Sequence, residues 1–98
     1  MMRRKGEQPL PIYLDRWGPD HPVARSIASG TWWFQAWAMQ KATPLERLAK
    51  TTGIPQRRLL TLCQRDRVSM AEVDALARAW SVSGADLRAS IPSELIVP

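Results

Sequence analysis

The sequence has one cysteine, one histidine, one phenylalanine and one tyrosine, and it is short of acidic residues. The single cysteine, Cys63, excludes an intramolecular disulfide, and with the single histidine, His21, it leaves no cluster at metal-ligand spacing. A reducing interior, the cytoplasm, is the expected setting, and neither metal nor cofactor is expected. No stretch approaches the ~20 consecutive apolar residues of a membrane span. The start, MMRRKGEQPLP, carries basic residues without the apolar centre of a signal peptide. Serines and threonines occur without a placed base, and His21 lies in GPDHP, a loop-like setting, so no enzyme is expected.

The deficit of acids sets the charge. Nine Asp and Glu against 14 Lys and Arg give a net charge of +5 and a pI near 10.4. Such a balance favours partners that carry phosphates or other anions. The charge is also localised: Lys50, Arg57, Arg58, Arg65 and Arg67 face only Asp66 across residues 50–67. Residues 68–98 run the other way, with Glu72, Asp74, Asp86 and Glu94 against Arg78 and Arg88.

What is present in quantity is apolar: 45% hydrophobic residues, five of them tryptophans, in a chain of 98 residues. That is enough for one compact domain and too little for two. Residues 1–26 are proline-rich and aperiodic and read as an irregular arm. From Ile27 the apolar spacing is helical through residue 91, and residues 92–98 read as a tail.

A first helix is expected from Ile27 to Lys41. Phe34, Trp37 and Ala38 share one face, while Trp32 and Met39 project from the other, so this helix needs two covers. Thr43 reads as the N-cap of a second helix with Pro44 at its first position, followed by the stripe Leu45, Leu48, Ala49. Gly53 stops that helix and Pro55 opens a third, to Gln64, with Leu59, Leu62 and Cys63 inward. Ser69 and Glu72 form a capping box before a fourth helix with Val73, Leu76, Ala77 and Trp80 buried. Ser83 and Asp86 start a short fifth helix with Leu87 and Ile91 apolar. No strand is predicted. Trp33, Trp37 and Trp80 are read as packing, and Cys63 as inert core.

The segments PLERLAKTTGIPQRRLLTLCQ and SMAEVDALARAWSVSGADL resemble the Cro and lambda-repressor helix-turn-helix family, the XRE family. The likeness rests on LA-x(3)-G-I before the turn, two leucines three apart after it, and LA-x(2)-W-x-V-S-x(2)-D-L near the end. It spans about residues 34–88. The resemblance implies an all-α, five-helix domain whose third helix enters a DNA major groove about 12 Å wide. It places Gln56, Arg57 and Thr61 at base edges, with Leu60 against a thymine methyl. Thr43, Arg58, Gln64, Arg65 and Arg67 fall to phosphates, and Arg3, Arg4 and Lys5 read either as a basic arm that follows DNA or as a frayed charged terminus. The implied function is a prokaryotic or phage transcription regulator.

Four positions depart from the family pattern. Leu45 stands where many members have a phosphate-binding glutamine, and Ser69 where a proline is usual. Ala38 and Cys63 replace a buried arginine–glutamate pair; both partners are lost together, consistent with an apolar contact in its place.

A homodimer on a two-fold site with half-sites about 34–36 Å apart follows from the resemblance. The candidate interfaces are the Trp32 and Met39 face, or the last helix and tail with Leu87, Ile91, Leu95 and Ile96. The competing reading is a helix-turn-helix module that binds protein: an antitoxin, or an adaptor touching RNA polymerase.

Overall fold

A computed structural model describes residues 17–98, so the predicted arm contacts Arg3, Arg4 and Lys5 lie outside the described residues. The protein is mostly helical. Among the described residues six α-helices follow in order: α1 (Pro22–Ala28), α2 (Trp33–Gln40), α3 (Leu45–Thr52), α4 (Gln56–Cys63), α5 (Met70–Trp80) and α6 (Gly84–Ala89). A two-residue strand β1 (Val68–Ser69) precedes α5, and β2 (Ile96–Val97) lies near the C-terminus after a 3-10 turn at Ser93–Leu95.

The helix expected from Ile27 to Lys41 is two helices. Gly30 adopts φ +107, a left-handed conformation that residues with a Cβ rarely enter, and the chain turns there. The Ser29 hydroxyl donates to the Arg25 carbonyl, and the Thr31 N–H to the Ser26 carbonyl, so the freed backbone groups are satisfied locally. α1 starts inside the expected arm. Its N-cap is His21, whose Nδ1 accepts a hydrogen bond from the Val23 N–H, with Pro22 opening the helix. His21 is accordingly no loop residue: it is buried, with its ring 5.3 Å from Trp17 and 5.4 Å from Trp37. Trp17 stacks on Trp37 in turn, so residues 17–26 belong to the packed body.

The caps expected at Ser69 and Ser83 hold, and the one expected at Thr43 does not. Pro44 and Pro55 occupy the cap positions of α3 and α4, one residue outside the predicted starts, because each keeps an extended ψ while its carbonyl accepts the first helical hydrogen bond. Thr43 is therefore not the N-cap; its hydroxyl donates to the Lys41 carbonyl. Gly53 ends α3 at φ 79, and the Thr52 hydroxyl bridges the turn by donating to Leu48 and accepting from the Ile54 N–H. Both halves of the capping box are present: Ser69 Oγ accepts from the Glu72 N–H and Glu72 Oε1 from the Ser69 N–H. The Ser83 hydroxyl caps α6 in the same way, accepting from the Asp86 N–H.

The core is built around tryptophan. Trp37 stacks on Trp80 at 6.1 Å between centroids, Phe34 meets Trp80 edge-on, and Trp33 meets Phe34 edge-on. Leu48, Leu59, Leu62, Val73, Leu76 and Leu87 close around them with no exposed surface. Each such aliphatic side chain contributes about 1.5–3 kcal/mol by leaving water. The Trp37 indole N–H donates to the Ser90 hydroxyl, which donates on to the Leu87 carbonyl, satisfying a polar chain within the core.

The C-terminal segment is part of the fold. β2 pairs in parallel with β1, Val68 against Ile96, a contact that no sequence periodicity announces over two residues. Leu87 and Ile91 are core residues, and Leu95 and Ile96 pack half-buried against that core. Leu87 and Ile91 therefore do not offer the dimer surface that their sequence suggested, since they fill this chain's own interior, whereas Leu95 and Ile96 keep part of their surface in solvent. Among the described residues no helix is long and apolar enough to cross a membrane, and no group of histidine, cysteine and acidic side chains could hold a metal.

Candidate nucleic-acid interface

α4 has two different faces. Leu59 and Leu62, three residues apart, are completely buried and hold the helix down. Gln56 and Arg57 are exposed at its N-terminal end, and Leu60 keeps 46% of its surface in solvent. Gln64 and Arg67 are exposed just beyond its C-terminus. On the preceding helix, Arg47 and Lys50 sit three residues apart, exposed beside buried Leu48. Arg47 went unremarked in the sequence, although its helical spacing from Lys50 was a readable signal.

Thr61 and Arg58 do not join the exposed set. Thr61 is half-buried; its hydroxyl donates to the Arg58 carbonyl at 2.7 Å and accepts from Arg58 Nη1 at 2.8 Å. Arg58 lies across α4 toward the start of α5. Its Nε donates to Glu72 Oε2 at 2.7 Å and its Nη2 to Glu72 Oε1 at 2.9 Å, a two-pronged pair. Nη1 also donates to Asp66 Oδ2 at 2.9 Å, and Nη2 to the Arg67 carbonyl at 2.6 Å. A guanidinium has five N–H donors, and these bonds engage all of them, so Arg58 has none left for a phosphate.

The electrostatics agree with that geometry. The bond to Glu72 leads the effects that raise Arg58 above its already high ordinary value. Glu72 is held below the usual carboxylate range, first by the hydrogen bond from Arg58 and against the opposing effect of burial. Asp66 is lowered first by the Arg67 backbone N–H and then by Arg58.

The loop after α4 places the other predicted phosphate contacts. Arg65 has a left-handed backbone, φ 70, and its guanidinium carbon lies 4.8 Å from the centre of the Trp32 ring, a cation–π contact. Trp32 is not a free outward aromatic: it is half-buried, and its indole N–H donates to the Leu62 carbonyl at 2.8 Å, an acceptor in the last turn of α4 that also receives the Arg65 N–H. The Thr43 hydroxyl has its proton on the Lys41 carbonyl, so a phosphate contact there requires that bond to break.

On another side, Ala38 and Cys63 line one apolar depression of about 540 Å³ together with Phe34, Met39 and Leu45. The two positions that lack the ion pair thus share apolar surroundings. Cys63 is half-buried there, and burial pushes its thiol up, away from the reactive thiolate. Met39, at 65% exposure, is the most exposed large apolar side chain among the described residues.

No protein-family model matches the chain, and neither a curated protein nor a solved structure matches it. The functional reading therefore stands on the residues themselves.

Proposed function

We propose that this protein is a double-stranded DNA-binding regulator of transcription in the cytoplasm, a helix-turn-helix domain of the Cro and lambda-repressor kind, with α4 as its major-groove helix. The observation that carries the reading is the division of α4. Leu59 and Leu62 anchor it, while Gln56, Arg57 and Leu60 stand exposed, flanked by Arg47 and Lys50 on one helix and Arg65 and Arg67 on the following loop. Three residues, 53–55, separate α3 from α4, with left-handed Gly53 making the turn that such a motif requires.

Arg57 is the principal base reader, able to grip guanine O6 and N7 with both arms, and Gln56 and Leu60 read beside it. Gln64, Arg65, Arg67, Arg47 and Lys50 meet phosphates, which set register without specifying sequence. A homodimer on a two-fold site doubles an interface that is small in one copy.

Selection from a random duplex pool at low salt tests the reading. Arg57→Ala is expected to relax preference at the base pair it contacts, by about 1–3 kcal/mol. Arg67→Ala is expected to weaken all sequences alike and to flatten the salt dependence by about 0.9 in log–log slope. If wild-type protein enriches no duplex, the DNA reading is wrong.

The exposed Met39 beside the apolar depression favours a second reading, a module of the same shape that docks a protein such as RNA polymerase or a cognate toxin. Met39→Asp would abolish such a complex and leave DNA selection untouched.

A further inference from the structure

We infer that Arg58 is the positioning residue of this interface, the group that fixes where Arg67 and its loop stand relative to α4. The inference rests on the DNA-binding reading for its purpose, and on the hydrogen bonds around Arg67 for its substance. Both peptide groups of Arg67 are held by the Arg58 network. Its carbonyl accepts directly from Arg58 Nη2. Its N–H donates to Asp66 Oδ1 at 2.8 Å, and the other oxygen of the same carboxylate, Oδ2, accepts from Arg58 Nη1. The far side of the guanidinium is clamped on Glu72, which is itself fixed by the capping box at the start of α5. One planar fork thus links three pieces of chain: α4 through the Thr61 hydroxyl, the loop through Asp66 and Arg67, and α5 through Glu72.

Only an arginine can do this. A lysine at the same place has the charge but three donors radiating from one point, which cannot reach acceptors spread around a plane. The loop's own backbone is strained at Arg65, φ 70; the Asp66 N–H donates to the Thr61 carbonyl on one side and Val68 pairs with Ile96 on the other, and Arg58 holds the Arg67 peptide groups between these two anchors. Arg58 also sets two carboxylates, Asp66 and Glu72, against a positive charge beside the surface proposed to face phosphates. The same residue therefore orients a cationic side chain and masks nearby anions.

Two measurements test this, one without DNA. In the free protein, hydrogen exchange of the Arg67 amide is expected to speed by about tenfold or more in both Arg58→Ala and Arg58→Lys, with Arg57→Ala unchanged. Glu72→Gln, which keeps an acceptor for the Ser69 N–H and so spares the cap, is expected to speed it as well. On a duplex enriched by the wild type, Arg58→Lys is expected to bind about tenfold more weakly, the size of one lost charged contact, with the same base preference as wild type. Unchanged exchange at Arg67 in Arg58→Ala overturns the inference. So does recovery of binding by Arg58→Lys, which would reduce Arg58 to a charge. Tighter binding by Glu72→Gln would also overturn it, since a guanidinium released from Glu72 would then be serving a phosphate. If wild type enriches no duplex, it is the DNA reading that fails, and the Arg67 exchange alone decides the role of Arg58.

Discussion

Arg57 and Arg58 are neighbours with the same side chain, and a helix turns them about 100° apart. That rotation sends Arg57 into solvent and lays Arg58 over Glu72. The helical period made Arg57 readable as outward. It left Arg58 ambiguous, because its partner is 14 residues away on another helix. Glu72 had been legible only as half of a capping box, a local role; its second role needs a neighbour that the sequence does not place. The pair carries a pH signature. The folded-state value of Glu72 lies below the ordinary carboxylate value, so its contribution is present above that value and is lost as pH falls through the lowered one. Thermal melts from pH 7 to pH 3 are expected to show a larger drop for wild type than for Glu72→Gln, the two converging at the acid end. A parallel pair of curves would show that the pair adds nothing.

At the level of single elements, the sequence was most informative at helix ends governed by local chemistry. Ser69 with Glu72, Ser83 with Asp86, and Gly53 all act where their residue types indicate. It was least informative where one glycine decides between a continuous helix and two. Nothing in the spacing of Ile27 to Lys41 marks Gly30 as a left-handed break, and His21 as a cap is visible only once Trp17 and Trp37 enclose it. Gly53 makes a clean test of a stop signal. No atom lies within 4 Å of a Cβ added there, so Gly53→Ala meets only the left-handed backbone, φ 79. Urea denaturation is expected to show a loss of about 1 kcal/mol. A neutral result would mean that the turn can relax to an ordinary conformation.

For the molecule as a whole, the question is which apolar residues are core and which face a partner. Leu87 and Ile91 have the same spacing whether they line a dimer or a monomer's interior, and here the interior holds them. Leu87→Ala is expected to destabilise the fold by about 2–5 kcal/mol without changing the solution mass of the molecules that remain folded. A variant that is stable but shifted in mass by sedimentation would return Leu87 to an interface.

The sequence by itself determined the helical class, the apolar stripes of α3, α4 and α5, the serine caps of α5 and α6, the Gly53 turn and the basic segment 50–67, because each depends on residues within a turn or two of one another. Only the tertiary structure decided the rest. It drew Trp17 and His21 into the body, paired Ile96 and Val97 with β1, placed Trp32 under Arg65, and took Arg58 off the exposed face. All of these join residues distant in the chain, and whether a side chain is surface or support depends on what the fold brings opposite it.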